Sequence, residues 1–179
     1  HDAIKKQGKR LLAHLGEKNV KSVYSNLGWE QEFHVIDVEA YNARPDLRSC
    51  GRTLIGSLPE RHQNGDMNYF AAMPGRVKPL MEEISRECRR IGIPLTCFHN
   101  EVAPAQHEFS PIFSMSNIAV DQNQIVFEMA EKIAAKHKLA ILWHEKPFAK
   151  INGNGKHNNW SIQSQNDNGD VKQWFVSGS

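Results

Sequence analysis

Hydrophobic and polar positions follow two periods along this chain, and the switches between them predict its elements. Ile4, Leu11, Leu12 and Leu15 recur at helical spacing over residues 3–15 with Lys and Arg opposite, which predicts an amphipathic helix capped by Gly16. From Val20 to Asp37 the period drops to two. Trp29, Gln31, Phe33 and Val35 then point one way and Glu30, Glu32, His34 and Ile36 the other, as in a strand. Residues 40–76 are rich in Gly, Pro, Asn, Asp and Arg and read as one long irregular segment. A loop of that length in a compact domain is either functional or conceals elements that periodicity misses.

Helical spacing returns at Val77, Leu80, Met81, Ile84, Cys88 and Ile91, with Pro79 in the first turn and Gly92 and Pro94 as the stop. A short strand is expected over Leu95–Val102, interrupted at Pro104 and resumed around His107–Phe113. A second long helix over residues 118–138 should bury Ile118, Ile125, Val126, Met129 and Ile133, with Lys136 and Lys138 complementing its C-terminal dipole. Leu139–Lys146 reads as a strand, and Asn158–Gln163 with Lys172–Val176 as a hairpin pair. Strands and helices mix without strict alternation and without an internal repeat. The expected class is α+β, a mixed or antiparallel sheet with helices on one side.

Between the last helix and that hairpin lies Lys146–Ser161, with two Asn-Gly pairs at 152–155. Asn and Gly tolerate positive φ, so a tight turn is expected there. His157, Asn159 and Ser161 would share one face of the returning strand. The stretch fits an Asn-Gly β-hairpin and equally a backbone loop laid against a ligand.

Composition narrows the partners. A chain of 179 residues suffices for one domain with a sizeable core but not comfortably for two. A net charge of +2 with no basic run gives no reason to expect nucleic acid or an anionic membrane as partner. No apolar stretch reaches transmembrane length, and no signal peptide opens the chain. Cys50, Cys88 and Cys97 are odd in number and lack CxxC spacing, which suits reduced thiols and a cytoplasmic location. The chain begins at His1 inside a helical pattern and stops at Val176–Ser179 after an apolar run, so both ends are expected to be cuts in a longer protein.

Five residues carry candidate chemistry. Glu30 and Glu32 share one face of the first strand; ionised and about 4 Å apart, they would repel by roughly 4 kcal/mol at a surface-like dielectric. Without a cation one of them would take up a proton. The same pattern also fits an edge strand with a solvated Glu face. Glu101 and Glu108 would face opposite ways in one continuous strand, but a bulge or turn at Pro104 would realign them toward one point; otherwise they are surface charges flanking a loop. With His157 the four carboxylates form an oxygen-rich set suited to two hard divalent ions, Mg²⁺ or Mn²⁺, rather than zinc. Paired metals of this kind clamp transferring phosphoryl oxygens. The Asn, Ser and Gly groups of 152–161 could hold a small polar substrate and nucleotide phosphates.

Four separated segments resemble one family in the right order over residues 28–161. Gly28-Trp29-Glu30-Gln31-Glu32-Phe33 resembles the first metal-binding strand of the glutamine synthetases, and Asn100–Glu108 (NEVAPAQHE) their second carboxylate segment. Lys146-Pro147-Phe148 through Ser161 is similar to their glutamate- and ATP-site signature, and Tyr69-Phe70 with Met73-Pro74 to a further family segment. The wording of NEVAPAQHE and of Lys156–Ser161 is that of the long type III class. Asn159, where type I enzymes carry a second His, follows the type II and III pattern.

The resemblance implies the catalytic-domain barrel of this family, mostly antiparallel strands with flanking helices. It implies that residues 1–179 are part of a single catalytic domain, without the N-terminal domain and the C-terminal arginine and flap segments, and that this chain alone is inactive. Carried over residue by residue, Glu32, Glu101 and Glu108 would hold one metal, and Glu30 and His157 the second. Asn152 and Gly153 would bind glutamate, and Asn159, Ser161 and Phe113 would contact ATP. The implied reaction phosphorylates the side-chain carboxylate of glutamate with ATP, after which ammonia displaces phosphate to give glutamine. The family also implies a homo-oligomer, a dodecamer for type III. Alternatives are a related gamma-glutamyl-amine ligase, and a truncated, non-catalytic subunit that binds metal or assembles with partners.

Overall fold

The computed structural model describes residues 1–175. In chain order the elements are α1 (Asp2–His14), β1 (Val20–Asp37), α2 (Val38–Asn42), α3 (Pro45–Cys50), α4 (Val77–Arg90) and β2 (Leu95–Asn100). There follow β3 (Gln106–Pro111), β4 (Ser114–Met115), α5 (Ser116–Lys136), β5 (Leu139–Leu142), β6 (Lys156–Asn166) and β7 (Val171–Gln173). They form an antiparallel sheet with flanking helices, as the sequence led us to expect. Val176, the last residue of the expected final strand, lies outside the described residues.

The chain divides into two compact units. One comprises residues 30–112 and 124–157; the other comprises residues 1–29, 113–123 and the chain from Asn158 onward. The first of these carries the carboxylates. Here Gln31–His34 of β1 pair with Gln106–Phe109 of β3 along one edge, and His34–Asp37 pair with Leu139–Leu142 of β5 along the other. β2 adds to the far side of β3. Trp29, Phe33 and Phe109 are fully buried, so the alternation read in β1 is the observed one on its apolar face. The Phe33 ring stacks on Phe109 at 4.7 Å and leans on Trp143 at 5.1 Å. Helix α4 buries Val77, Leu80, Met81, Ile84 and Cys88, and Ser85 Oγ donates to the Leu95 carbonyl at 2.8 Å.

In the other unit β1 pairs with β4 through Asn26 and Leu27, and β6 with β7 through Gln163–Gln165 and Val171–Gln173. The expected hairpin of the last two strands is therefore present. Trp174 Nε1 closes it by donating to Ser164 Oγ at 3.0 Å.

Four expectations are corrected. Of the apolar residues predicted for α1, only Leu12 is buried; Ile4, Leu11 and Leu15 are exposed. In α5 the buried side is Ala119, Val126, Ala130, Ile133 and Ala134, whereas Ile118 and Ile125 are exposed, because small residues rather than the largest ones meet the neighbouring elements. Residues 40–76 are not wholly irregular: α2 starts where Asp37 accepts the Glu39 amide, and α3 has Pro45 in its first turn. Most consequentially, residues 152–155 are not a hairpin turn. β5 leaves the edge of β1 at Leu142, opposite His34, and the chain regains that same edge where the Glu32 amide donates to the Gly155 carbonyl at 3.0 Å.

Candidate metal and substrate site

The excursion 143–155 explains its glycines by contact rather than by backbone angle. Neither Gly153 nor Gly155 has positive φ; in this stretch Lys150 does, at 64°. A Cβ on Gly153 would lie 2.0 Å from the Glu145 carbonyl oxygen, and one on Gly155 would lie 3.3 Å from Glu32 Oε2. Between them Asn154 is buried. Its Nδ2 donates to the carbonyls of Leu142 at 2.9 Å and His144 at 2.8 Å, which leaves Oδ1 to accept from His34 Nδ1 at 2.7 Å. That fixes the His34 tautomer with the proton on Nδ1. Burial pushes His34 down to about 4, Lys146 adds to the effect, and the Asn154 bond opposes it. The ring is neutral near pH 7.

Sheet register assembles the carboxylates. Glu32 sits opposite Glu108, and Glu108 opposite His99, so all three project from one face of three adjacent strands. Glu101 follows β2 in a turn that its own amide closes on the Gln106 carbonyl at 2.9 Å, with Ala105 at φ 60°. This turn realigns Glu101 toward Glu108. His99 Nε2 lies 3.1 Å from Glu101 Oε1 and 3.2 Å from Glu108 Oε1. Glu32 Oε2 accepts the Gly155 amide at 2.6 Å and the Gln106 side-chain amide at 3.2 Å, while Gln106 Nε2 also donates to the Gly153 carbonyl at 2.8 Å. Glu30 Oε2 faces His157 Nδ1 at 2.8 Å. All five expected ligands thus belong to the same unit, as two adjoining sets.

Electrostatics marks the set as short of positive charge. Burial first, then the charges of Glu101, Glu30 and Glu32, push the Glu108 carboxyl up to about 8. Burial and the Glu32 charge also raise Glu101. Behind this row His107 is buried and held down to about 4, chiefly by burial and further by His34 and His99. Oxygen donors with one or two imidazoles, one carboxyl kept protonated for want of a cation, fit a hard divalent ion.

Asn152 is gripped from both sides by Gln63, whose Nε2 donates to Asn152 Oδ1 at 2.7 Å and whose Oε1 accepts the Asn152 amide at 2.6 Å. Sequence reasoning missed Gln63 and His99, since only the fold brings them here. Phe113, Asn159 and Ser161 belong to the other unit, where a Cβ on Gly28 would lie 3.5 Å from Phe113 Cβ and 4.0 Å from the Asn159 carbonyl oxygen. A cavity of about 660 Å³ lined by Arg44, Leu54, Leu58, Phe148 and Lys150 includes none of the candidate residues. Among the described residues no helix is long and apolar enough to cross a membrane.

Comparison with known proteins identifies the family. The family model described as glutamine synthetase, catalytic domain, matches residues 5–172. A glutamine synthetase of Bacteroides fragilis is 49% identical over 151 residues, covering 84% of this chain and 21% of its own. A type-3 glutamine synthetase of Dictyostelium discoideum is 46% identical over 153 residues, covering 86% and 21%. A glutamine synthetase of Butyrivibrio fibrisolvens is 44% identical over 161 residues, covering 90% and 23%. The chain therefore spans about a fifth of the length of these relatives. Among solved structures, ligand-free GmaS superposes with a TM-score of 0.64 at 23% identity, over 96% of this chain and 36% of that one, and its ADP complex with 0.64 at 22%, over 96% and 35%. With the family model matched along nearly its whole length and a type-3 enzyme among its relatives, this chain belongs to the glutamine synthetase catalytic-domain family.

Proposed function

We propose that the protein to which this chain belongs ligates ammonia to glutamate at the expense of ATP, through a gamma-glutamyl phosphate, at a site holding two divalent ions, Mg²⁺ or Mn²⁺. The observation that carries this reading is the convergence of Glu101, from the turn after β2, on Glu108 and Glu32 of the sheet face, where burial and the neighbouring carboxylates push the Glu108 carboxyl up to about 8. Glu32, Glu101 and Glu108 are the ligands proposed for one ion, Glu30 and His157 for the other. Bound there, the ions would supply the positive charge that a phosphoryl group in transfer requires.

The chain's own residues act by positioning. The Gly155 amide and the Gln106 side chain aim Glu32 Oε2. Gln63 occupies the Asn152 oxygen and backbone amide, which frees Asn152 Nδ2 to donate to a carboxylate of glutamate. Gly153 is proposed to edge the same pocket, its missing side chain letting the chain pass against the Glu145 carbonyl. Phe113, exposed, and Asn159 with Ser161 are the residues proposed to contact ATP. A carboxylate oxygen is a poor leaving group, so phosphorylation precedes attack by ammonia, which then expels inorganic phosphate. Residues 1–179 would form part of one catalytic domain of a homo-oligomer, and three free thiols suit the reducing cytoplasm.

The test is ATP- and metal-dependent formation of glutamine by the full-length protein, with hydroxylamine accepted in place of ammonia. Glu101→Gln should abolish activity while leaving the circular dichroism spectrum unchanged. Retained activity in that variant overturns the metal assignment. A polyamine used in preference to ammonia points instead to a gamma-glutamyl-amine ligase, and a folded wild type without metal-dependent turnover to a non-catalytic subunit.

A further inference from the structure

The ligand set that the family resemblance supplies leaves out His99, whose Nε2 lies within 3.2 Å of both Glu101 and Glu108. We propose that His99 is itself a ligand of the ion held by these two carboxylates, and that its imidazole shifts the preference of that position from Mg²⁺ toward Mn²⁺. The inference rests on the reading that Glu101 and Glu108 bind a metal.

The spacing of the three groups suits one ion. In an octahedral site with bonds of roughly 2.1–2.2 Å, adjacent ligand atoms stand about 3.0–3.1 Å apart, the bond length times √2. His99 Nε2 stands 3.1 Å from Glu101 Oε1 and 3.2 Å from Glu108 Oε1. One ligand atom from each of the three residues lies within 4.8 Å of the other two. One ion can therefore be reached by all three with little side-chain movement.

His99 also arrives on a rigid element with its ring already oriented. It is directly opposite Glu108 in the β2–β3 ladder. Its ring meets the edge of Tyr69 at 5.8 Å, and its Nδ1 faces Cys97 Sγ at 3.9 Å. Nε2 is thereby the nitrogen turned toward the carboxylates. Imidazoles that ligate metals characteristically give the other ring nitrogen to a neighbouring group, which sets the tautomer.

The donor set bears on selectivity as well. An all-carboxylate site accepts Mg²⁺ and Mn²⁺ on similar terms, whereas an imidazole nitrogen favours the transition ion, since Mg²⁺ prefers oxygen and holds its water tightly. Loss of the imidazole should therefore cost Mn²⁺ affinity more than Mg²⁺ affinity.

The experiment titrates Mn²⁺ and Mg²⁺ separately into metal-stripped full-length protein by calorimetry, for wild type, His99→Gln and Glu101→Gln. The expected result is Mn²⁺ binding at one site weakened about tenfold or more in His99→Gln, with Mg²⁺ binding changed less than about threefold. Glu101→Gln should weaken both. If His99→Gln leaves the Mn²⁺/Mg²⁺ ratio unchanged while Glu101→Gln loses an ion, His99 is not a ligand and the carboxylate site stands. If Glu101→Gln binds both ions like wild type, the site reading itself fails. Should His99→Gln fold poorly, electron spin echo of Mn²⁺ in His157→Gln decides. Modulation from a directly bound imidazole nitrogen supports the proposal, and its absence overturns it.

Discussion

The backbone amide of Gly155 donates to Glu32 Oε2 at 2.6 Å, so a residue without a side chain aims a carboxylate from across the sheet. A Cβ at Gly155 would lie 3.3 Å from that same oxygen, and the backbone there has no positive φ to forbid alanine. Gly155→Ala should therefore fold but shift Glu32 by a few tenths of an ångström. We expect stability to change by less than about 1 kcal/mol and divalent-metal affinity to fall. Urea denaturation checks the first and calorimetric titration of metal into the full-length variant the second, and an unchanged affinity would separate Glu32 from the ion.

Gly153→Ala should behave differently, because its added Cβ would fall 2.0 Å from a backbone carbonyl oxygen of Glu145, which cannot rotate away. The excursion 143–155 would have to move as a whole. Urea denaturation should show a loss of about 1–3 kcal/mol, the usual cost of forcing atoms into a packed site. Stability equal to wild type would mean that the excursion adapts freely.

How much of this was legible in the sequence depended on which interaction carried the information. The faces of β1 and α4 followed from period alone, because burial there tracks hydrophobicity: Phe33 and Leu80 are fully enclosed. The face of α5 was misread because Ala119, Ala130 and Ala134 pack closely while Ile118 and Ile125 face solvent. The grouping of Glu30, Glu32, Glu101, Glu108 and His157 was legible through motif resemblance, and the turn at Pro104 through the inability of proline to donate to a ladder. His99 and Gln63 were not, since only the β2–β3 register and the folding back of a 40–76 loop bring them to the site. The Asn-Gly pairs predict a turn by composition, whereas in the fold they mark close approach. Glycine serves both ends, and one sequence cannot tell them apart.

Asn154 illustrates a buried polar residue whose role is architectural. Its side chain satisfies the carbonyls of Leu142 and His144 and orients His34. Asn154→Leu would strand two buried polar groups and the half-buried His144 carbonyl, a buried group costing about 1–3 kcal/mol when unpaired, although not additively. A loss above about 3 kcal/mol in chemical denaturation is expected. Asn154→Asp should restore part of it, because the carboxylate can still accept from His34 Nδ1.

Glu108 gives the metal-free protein a distinctive pH dependence. Its folded value, about 8, stands above the ordinary 4.5, so folding favours the protonated carboxyl. That contribution is fully present below about pH 4.5 and is lost as pH rises through 8, the opposite of a carboxylate stabilised by an ion pair. Metal-stripped wild type should lose melting temperature between pH 5 and 8 relative to Glu108→Gln, whose amide carries no charge to desolvate. Saturating Mn²⁺ should flatten the wild-type curve by compensating the carboxylates, and should do so far less for Glu108→Gln. Parallel curves for the two metal-free proteins would show that Glu108 ionises freely and that burial does not control it.

Gln63 supplies the clearest separation of binding from chemistry. It holds Asn152 by two hydrogen bonds, 2.7 and 2.6 Å, and among the described residues makes no hydrogen bond to a proposed metal ligand. Gln63→Ala should free the Asn152 side chain to rotate, so its amide would spend less time aimed at a glutamate carboxylate. One loosened hydrogen bond to a charged group corresponds to about 1.5–3 kcal/mol, or roughly 10- to 100-fold in kcat/KM for glutamate. If Asn152 grips substrate and transition state alike, the loss falls on KM, with kcat and the KM for ATP near wild type. A matching fall in kcat would instead mean that Asn152 tightens its hold as the phosphoryl group transfers. Unchanged kinetics for glutamate would remove Asn152 from the substrate pocket, and with it the reading of this excursion as the glutamate site.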